Sequence, residues 1–266
     1  MQPTRHLTGR EGAAARVVGS DRVLAVLSEL AQHPGGVTLD ELSRLLDSPK
    51  PTVHRALASL RRAGLAGQDG RGTYLLGDEF LRLAFTNLEA RPEHVRVVPV
   101  LEQLADLVHE TAHYAVLDGR DVVYRAKVDP GVGAIKLTSV VGGRNPAHCT
   151  AVGKLLLAHQ LPDDAAVEAW VAPAPLVRRT DRTRTTAADL AAELATIRER
   201  GYATEDGENE VGIGCLALPV FLASGGTPRG AVSVSALSYR TPLAQLVEEL
   251  PRIREIVAPL QTGATS

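Results

Sequence analysis

The segment from Ser48 to Gln68 constrains this chain most: it carries Lys50, His54, Arg55, Arg61 and Arg62, contains no carboxylate, and opens with prolines at 49 and 51. Proline is tolerated in a helix only in the first turn, where no intrahelical amide bond is lost, so the segment predicts a helix running to about Ala63. Val53, Ala56, Leu57 and Leu60 share one face of that helix, while Lys50, Thr52, Arg55, Ser59 and Arg62 point elsewhere. A basic helical face without acids suits phosphate.

The neighbours give this helix a context. A first amphipathic helix is predicted from Asp21 to Gln32, stopped by His33-Pro34-Gly35-Gly36. A second opens on Thr38-Leu39-Asp40-Glu41, a capping box, with Leu42, Leu45 and Leu46 as its buried face. A tight turn at Asp47-Ser48 leads into the basic helix. Beyond it, two short apolar runs flank Asp69-Gly70, the pattern of a β-hairpin. Two helices, a turn, a third helix and a hairpin make a winged helix-turn-helix. A merely solvated face is the plain alternative, but it gives no reason for an acid-free run placed directly after a capped helix and a turn.

Net charge alone, −2, argues against a nucleic-acid partner, but its distribution does not. Residues 1–76 hold ten Lys/Arg against seven Asp/Glu, so the basic excess lies in the first part of the chain. The longest apolar stretch, Val211 to Ala223, contains Gly212, Gly214 and Pro219 and is too short to span a bilayer, which excludes a helical membrane anchor there. The first 18 residues lack the apolar core of a secretory signal and read as a polar tail. Two distant cysteines, Cys149 and Cys215, do not form a disulfide framework, so a cytoplasmic location is expected.

After an amphipathic segment from Gly77 to about Glu89 and a second helix to about Glu110, strands are expected at Ala112–Leu117, Val122–Val128, Ile135–Ser139, Gly214–Phe221 and Gly230–Leu237. Helices are expected near Ala151, from Thr186 to Arg200, and from Thr241 to Leu260, the last laid on the sheet rather than paired in a coiled coil, which Pro251 would kink. The basic cluster Arg178, Arg179, Arg182 and Arg184 reads as a solvated loop.

The chain resembles the IclR family of bacterial transcription regulators along nearly its whole length. The matching segments are Thr-Leu-Asp-Glu-Leu-Ser at 38–43, Lys-Pro-Thr-Val-His-Arg-Ala-Leu-Ala-Ser-Leu at 50–60, Gly-Thr-Tyr-Leu-Leu-Gly at 72–77, His-Tyr-Ala-Val-Leu-Asp-Gly at 113–119, Ala-His-Cys-Thr-Ala-Val-Gly-Lys-Leu-Leu-Leu-Ala at 147–158 and Gly-Ile-Gly-Cys-Leu-Ala-Leu-Pro-Val-Phe at 212–221. The resemblance implies an α+β chain: a winged helix-turn-helix and a GAF-like α/β effector domain with a curved, mainly antiparallel sheet. The expected division is a tail (1–18), the DNA-binding domain (19–77), a linking helix (78–91) and the effector-binding domain (92–262). It also implies a homo-oligomer, dimer or tetramer, pairing through the N-terminal and linking helices.

Expected partners are double-stranded operator DNA and a small carboxylate-type effector. On the DNA side, Thr52, His54, Arg55 and Ser59 are candidates for base or groove contacts, and Lys50, Arg62 and the wing residue Arg71 for phosphate. For the effector, Thr150 precedes a helix whose first amides, Ala151 and Val152, face any anion placed there. Ser233 and Ser235, two apart on a strand, share a face that Cys215 can join. The resemblance adds an acidic residue upstream, Glu205 or Asp206, with the gap-free count from Cys215 favouring Glu205. Read without the family, Ser233, Ser235 and Cys215 are small strand residues of a core.

No cofactor is expected. His113, His148, Cys149 and Cys215 lack the local spacing of a metal site, so no metal is expected either. Two other functions remain open at this point: a cysteine-dependent acyl-transfer enzyme with Cys215 or Cys149 as nucleophile and His148 as base, and a DNA-binding protein whose large domain only oligomerises.

Overall fold

The computed structural model describes residues 19–131, 137–222 and 226–261. The chain separates into two compact units that divide between Glu89 and Ala90.

In the first unit, α1 (Gly19–Ala31), β1 (Val37–Thr38), α2 (Leu39–Leu45), α3 (Lys50–Arg62), β2 (Ala66–Gln68), β3 (Thr73–Leu76) and α4 (Asp78–Glu89) follow in order. Val26, Leu30, Leu42, Val53, Leu57, Leu60 and Tyr74 close one small core. The capping box at the start of α2 is complete: Thr38 N donates to Glu41 Oε2 over 2.9 Å, and Glu41 N donates to Thr38 Oγ1 over 3.3 Å. Asp47 makes the turn into α3 with a left-handed φ of 43°, a conformation short polar side chains tolerate. β2 and β3 pair antiparallel through Gly67↔Leu75, with β1 on the far side of β3, giving the wing its three strands.

The second unit contains α5 (Pro92–Val108), β4 (Thr111–Asp118), β5 (Asp121–Val128), β6 (Arg144–Pro146), a 3₁₀ turn (Ala147–Cys149), α6 (Ala151–Gln160), α7 (Asp164–Val171), α8 (Ala187–Arg200), β7 (Ala203–Asp206), β8 (Ile213–Val220), β9 (Gly230–Leu237), α9 (Leu243–Glu248), α10 (Leu250–Val257) and a final 3₁₀ turn (Ala258–Leu260). Six strands form one antiparallel sheet in the order β6-β5-β4-β9-β8-β7. Because strand side chains alternate, the sheet serves two cores. Ala115, Ala217 and Ala231 face α6, α7 and α8, whereas Ala112, Tyr114, Leu216, Val232 and Val234 face α5, α9 and α10.

Three expectations change. Residues 135 and 136 of the strand expected at Ile135–Ser139 lie outside the described residues, and 137–139 are not a strand. The Lys127 ammonium takes the carbonyls of Leu137 and Ser139 at 2.9 and 2.8 Å, acceptors a neighbouring strand would otherwise use, and β6 occupies the edge beside β5. The terminal helix is two helices, with Pro251 in the first turn of α10, where the break after α9 removes the amide bond proline would have cost. β7, not read from the sequence, forms the sheet edge.

Candidate functional site

On α3 the side chains of Lys50, His54, Arg55, Arg61 and Arg62 are exposed, and Thr52 and Ser59 are half-buried. They differ in freedom. Lys50 pairs with Asp40 of α2 at 2.9 Å, a partner the acid-free run conceals because it lies ten residues upstream. Arg61 donates to Gln68 Oε1 of β2 at 2.8 Å, tying the helix to the wing. Ser59 donates to the Arg55 carbonyl and accepts from Arg62 at 3.0 Å. The His54 and Arg55 side chains make no such bond among the described residues, so they are the groups on this face that lose nothing on meeting a groove. Arg71 stands exposed in the loop joining β2 and β3, which is held by Asp69 Oδ1 accepting from the Arg71 and Thr73 amides at 3.0 and 2.8 Å.

In the second unit, a cavity of about 260 Å³ opens between the α6 face of the sheet and the start of α6. Thr150, Ala151, Val152, Glu205, Cys215, Ser233 and Ser235 all line it. The register explains why: Glu205 pairs with Cys215, Cys215 with Ser235, and Ser233 with His113, so one face of four adjacent strands presents them together. Asp206, one residue on, points the other way; it is exposed, paired with Arg182, and is not part of the cavity.

α6 begins with Thr150, whose Oγ1 accepts from Gly153 N at 3.2 Å. The first-turn amides of Ala151 and Val152 have no intrahelical acceptor and border the cavity. Gly153 makes this start possible: a Cβ there would sit 2.2 Å from the Ala147 carbonyl oxygen, so only glycine lets the helix press against the preceding turn.

Ser233 is 4% exposed, borders the cavity, and has no hydrogen-bond partner among the described residues. Ser235 is engaged: Cys215 Sγ donates to its Oγ at 3.2 Å, and its Oγ lies 3.3 Å from His113 Nδ1. His113 Nε2 meets Ser139 Oγ at 2.8 Å, and burial, aided by Lys127, holds the ring down to about 3, so it is a neutral imidazole. Its ring lies 4.9 Å from that of Tyr124, which also walls the cavity. Burial pushes the Glu205 carboxyl up to about 7 even though the Glu208 and Asn209 amides donate to its Oε1 at 2.5 and 3.0 Å. Glu208 in turn pairs with the fully buried Lys154 of α6 at 2.5 Å, so one ionic link ties the Glu205–Asn209 turn to the helix that supplies the amides.

The cavity residues missed in the sequence are chiefly Tyr124, Asn209 and Arg179, and His113, considered there only as a metal ligand, lines the cavity as well. His113 carried a usable signal, since it alternates with Ala115 onto the face that holds the serines. His148 and Cys149 do not border the cavity: His148 Nε2 bonds the Val177 carbonyl, and Cys149 Sγ approaches Pro146 O and Asn209 Oδ1. Among the described residues no group of three or more His, Cys, Asp or Glu is arranged to hold a metal ion. The arginines at 178–184 are not simply solvated: Arg184 is two-thirds buried against Glu193 and Glu208, and Arg179 reaches the cavity.

Residues 20–70 match the model of the IclR helix-turn-helix domain, and residues 93–260 match that of the bacterial transcriptional regulator IclR C-terminal domain. The chain is 32% identical over 223 residues to the Pca regulon regulatory protein of Pseudomonas putida, covering 84% of this chain and 76% of that protein. It is 31% identical over 245 residues to the HTH-type transcriptional regulator KdgR of Escherichia coli (strain K12), covering 91% and 88%. Among solved structures, an IclR homolog from Microbacterium hydrocarbonoxydans complexed with 4-hydroxybenzoate superposes with a TM-score of 0.75 at 25% identity, covering 91% of this chain and 98% of that one. No helix among the described residues is long and apolar enough to cross a membrane.

Proposed function

Since this chain belongs to the IclR family of bacterial transcriptional regulators, with a helix-turn-helix domain and a C-terminal effector domain, we propose that α3 and the wing bind operator DNA and that a small carboxylate in the α6 cavity changes that binding. Arg55 and His54 read the groove, while Lys50, Arg62 and Arg71 hold phosphates. The observation that carries the effector reading is the convergence of donors on one cavity: the amides of Ala151 and Val152, and the hydroxyl of the buried residue Ser233, which has no hydrogen-bond partner among the described residues. Donors at a helix start favour an anion over a cation. A cavity of about 260 Å³ is sized for a metabolite smaller than a drug-like ligand. The 4-hydroxybenzoate complex of the homolog supports a carboxylate of that size.

The protein acts as a homo-oligomer in the cytoplasm on this reading; α4 exposes Leu81, Leu83 and Phe85, apolar surface of the kind a second copy covers. The cysteine-dependent acyl-transfer alternative is set aside. Burial pushes the Cys149 thiol up to about 12 and the Cys215 thiol well up, so neither supplies the thiolate that nucleophilic catalysis needs. The test is fluorescence anisotropy of the full-length protein on a DNA fragment from upstream of its own gene, titrated with small carboxylates. A shifted DNA-binding midpoint supports the reading; DNA binding indifferent to every carboxylate, with none bound to the protein, sinks it.

A further inference from the structure

Resting on the effector reading above, we propose that Arg179, in the loop between α7 and α8, is the counter-ion of the bound carboxylate, so that the cavity selects its ligand by charge and not only by hydrogen bonding.

Four arginines crowd this loop, and three are occupied. Arg178 donates to Thr185 Oγ1 at 3.2 Å, Arg182 pairs with Asp206, and Arg184 pairs with Glu208 at 2.6 Å and Glu193 at 3.0 Å. The exposed Arg179 side chain has no partner among the described residues, and Arg179 lines the same cavity as Thr150, Ala151 and Val152. Its backbone is fixed while its head is free. Thr183 Oγ1 accepts from the amides of Arg179 and Thr180 at 3.0 and 2.8 Å, and His148 Nε2 bonds the Val177 carbonyl at 3.0 Å, pinning the loop beside the turn that starts α6. The guanidinium is close enough to that turn to oppose the rise that burial imposes on the Cys149 thiol, next to Thr150.

The other charges around the cavity leave this role to Arg179. Arg144 also borders it but is spent on Asp118 at 2.6 Å and Asp121 at 3.5 Å. His113 is neutral. Glu205 and Glu210 are the acids present, Glu205 pushed toward its neutral form by burial and Glu210 exposed at the rim. Helix-start amides stabilise a carboxylate but also accept a neutral carbonyl; a guanidinium distinguishes the two, because its hydrogen bonds are strengthened by the ligand's charge.

The experiment uses the full-length protein and matched acid–amide pairs: pyruvate and pyruvamide, benzoate and benzamide, 4-hydroxybenzoate and 4-hydroxybenzamide, with affinities from isothermal calorimetry. For any acid that binds, wild type should prefer it to its amide, and Arg179→Gln should weaken the acid about ten- to hundredfold while leaving the amide unchanged. Arg179→Lys should recover part of the loss, and both variants should melt as wild type does. An equal loss for acid and amide, or no loss for the acid, overturns the role of Arg179 and leaves the effector reading standing. If no acid binds wild type, the carboxylate reading itself fails, and this assignment with it.

Discussion

Glu205 and Cys215 face each other across β7 and β8, and Cys215 Sγ continues to Ser235 Oγ at 3.2 Å, so a carboxyl, a thiol and a hydroxyl form one row along the cavity floor. Glu205 and Ser235 are the buried members of that row, and the titration of Glu205 is coupled to folding. The Glu205 carboxyl titrates near 7 in the folded protein against an ordinary 4.5, so the folded chain holds this proton more tightly than the unfolded chain does. The stabilisation is fully present below about pH 4.5 and is lost as pH rises through about 7. Glu205→Gln removes it. Relative to wild type, that variant should gain stability across this window by an amount on the order of 3 kcal/mol at most, then plateau. Denaturation curves at a series of pH values check this; parallel profiles for the two proteins would contradict it.

Arg55 is exposed on α3 without a partner among the described residues, so removing it costs the free protein little. Arg55→Ala should weaken operator binding by roughly 1–3 kcal/mol and relax preference at one base position. Equal losses on operator and random DNA would show that Arg55 touches only backbone.

Thr38→Ala deletes both the acceptor for the Glu41 amide and the hydroxyl that donates to Glu41 Oε2 at 2.7 Å. The first unit should lose about 1 kcal/mol, and Thr38→Ser should restore most of it. Urea denaturation followed by a probe in that unit reads the difference, and an unchanged midpoint would count against the cap.

Ser233→Val keeps the strand and removes a hydroxyl that has no partner among the described residues, so DNA binding by the free protein should persist while effector response falls. Ser235→Val, added to it, also cuts the link to His113 Nδ1, and the double variant should not respond. A wild-type response midpoint in the double variant would place the effector elsewhere.

Gly153→Ala sets a methyl carbon 2.2 Å from the Ala147 oxygen and 2.4 Å from its Cα, both backbone atoms that cannot swing aside. The second unit should lose about 1–3 kcal/mol, and effector affinity should fall with it because the amides of Ala151 and Val152 are displaced. Retained affinity at full stability would mean the turn yields more easily than its backbone contacts imply.

The helix-turn-helix unit was legible because its determinants are local: a capping box, a proline at the cap and another in the first turn of α3, and an Asp-Gly turn each act within four residues. The cavity beside α6 was legible only in part. Strand alternation put Ser233, Ser235 and Cys215 on one face and the family resemblance made that face a site, while the strand register of 203–206 against β8 separates Glu205 from Asp206. Arg179 sat in a cluster of similar charges, and only the pairing of its three neighbours singles it out. Of the strand that the apolar pattern predicted at 135–139, residues 137–139 are irregular, and the Lys127 side chain takes the carbonyls of Leu137 and Ser139.

β9 is buried along Gly230–Ala236 and hydrogen-bonded on both edges, to β4 and to β8. Its amides therefore exchange with deuterium only when the domain opens on the largest scale. Any ligand that binds the folded domain slows that opening by mass action, so protection will rise at Ser233 and Ser235 whether or not the ligand touches them. The informative amides in such an experiment are those of Glu208 and Asn209, which bond to the Glu205 carboxyl in a turn at the sheet edge. Protection gained there ahead of β9 marks occupancy of the cavity itself.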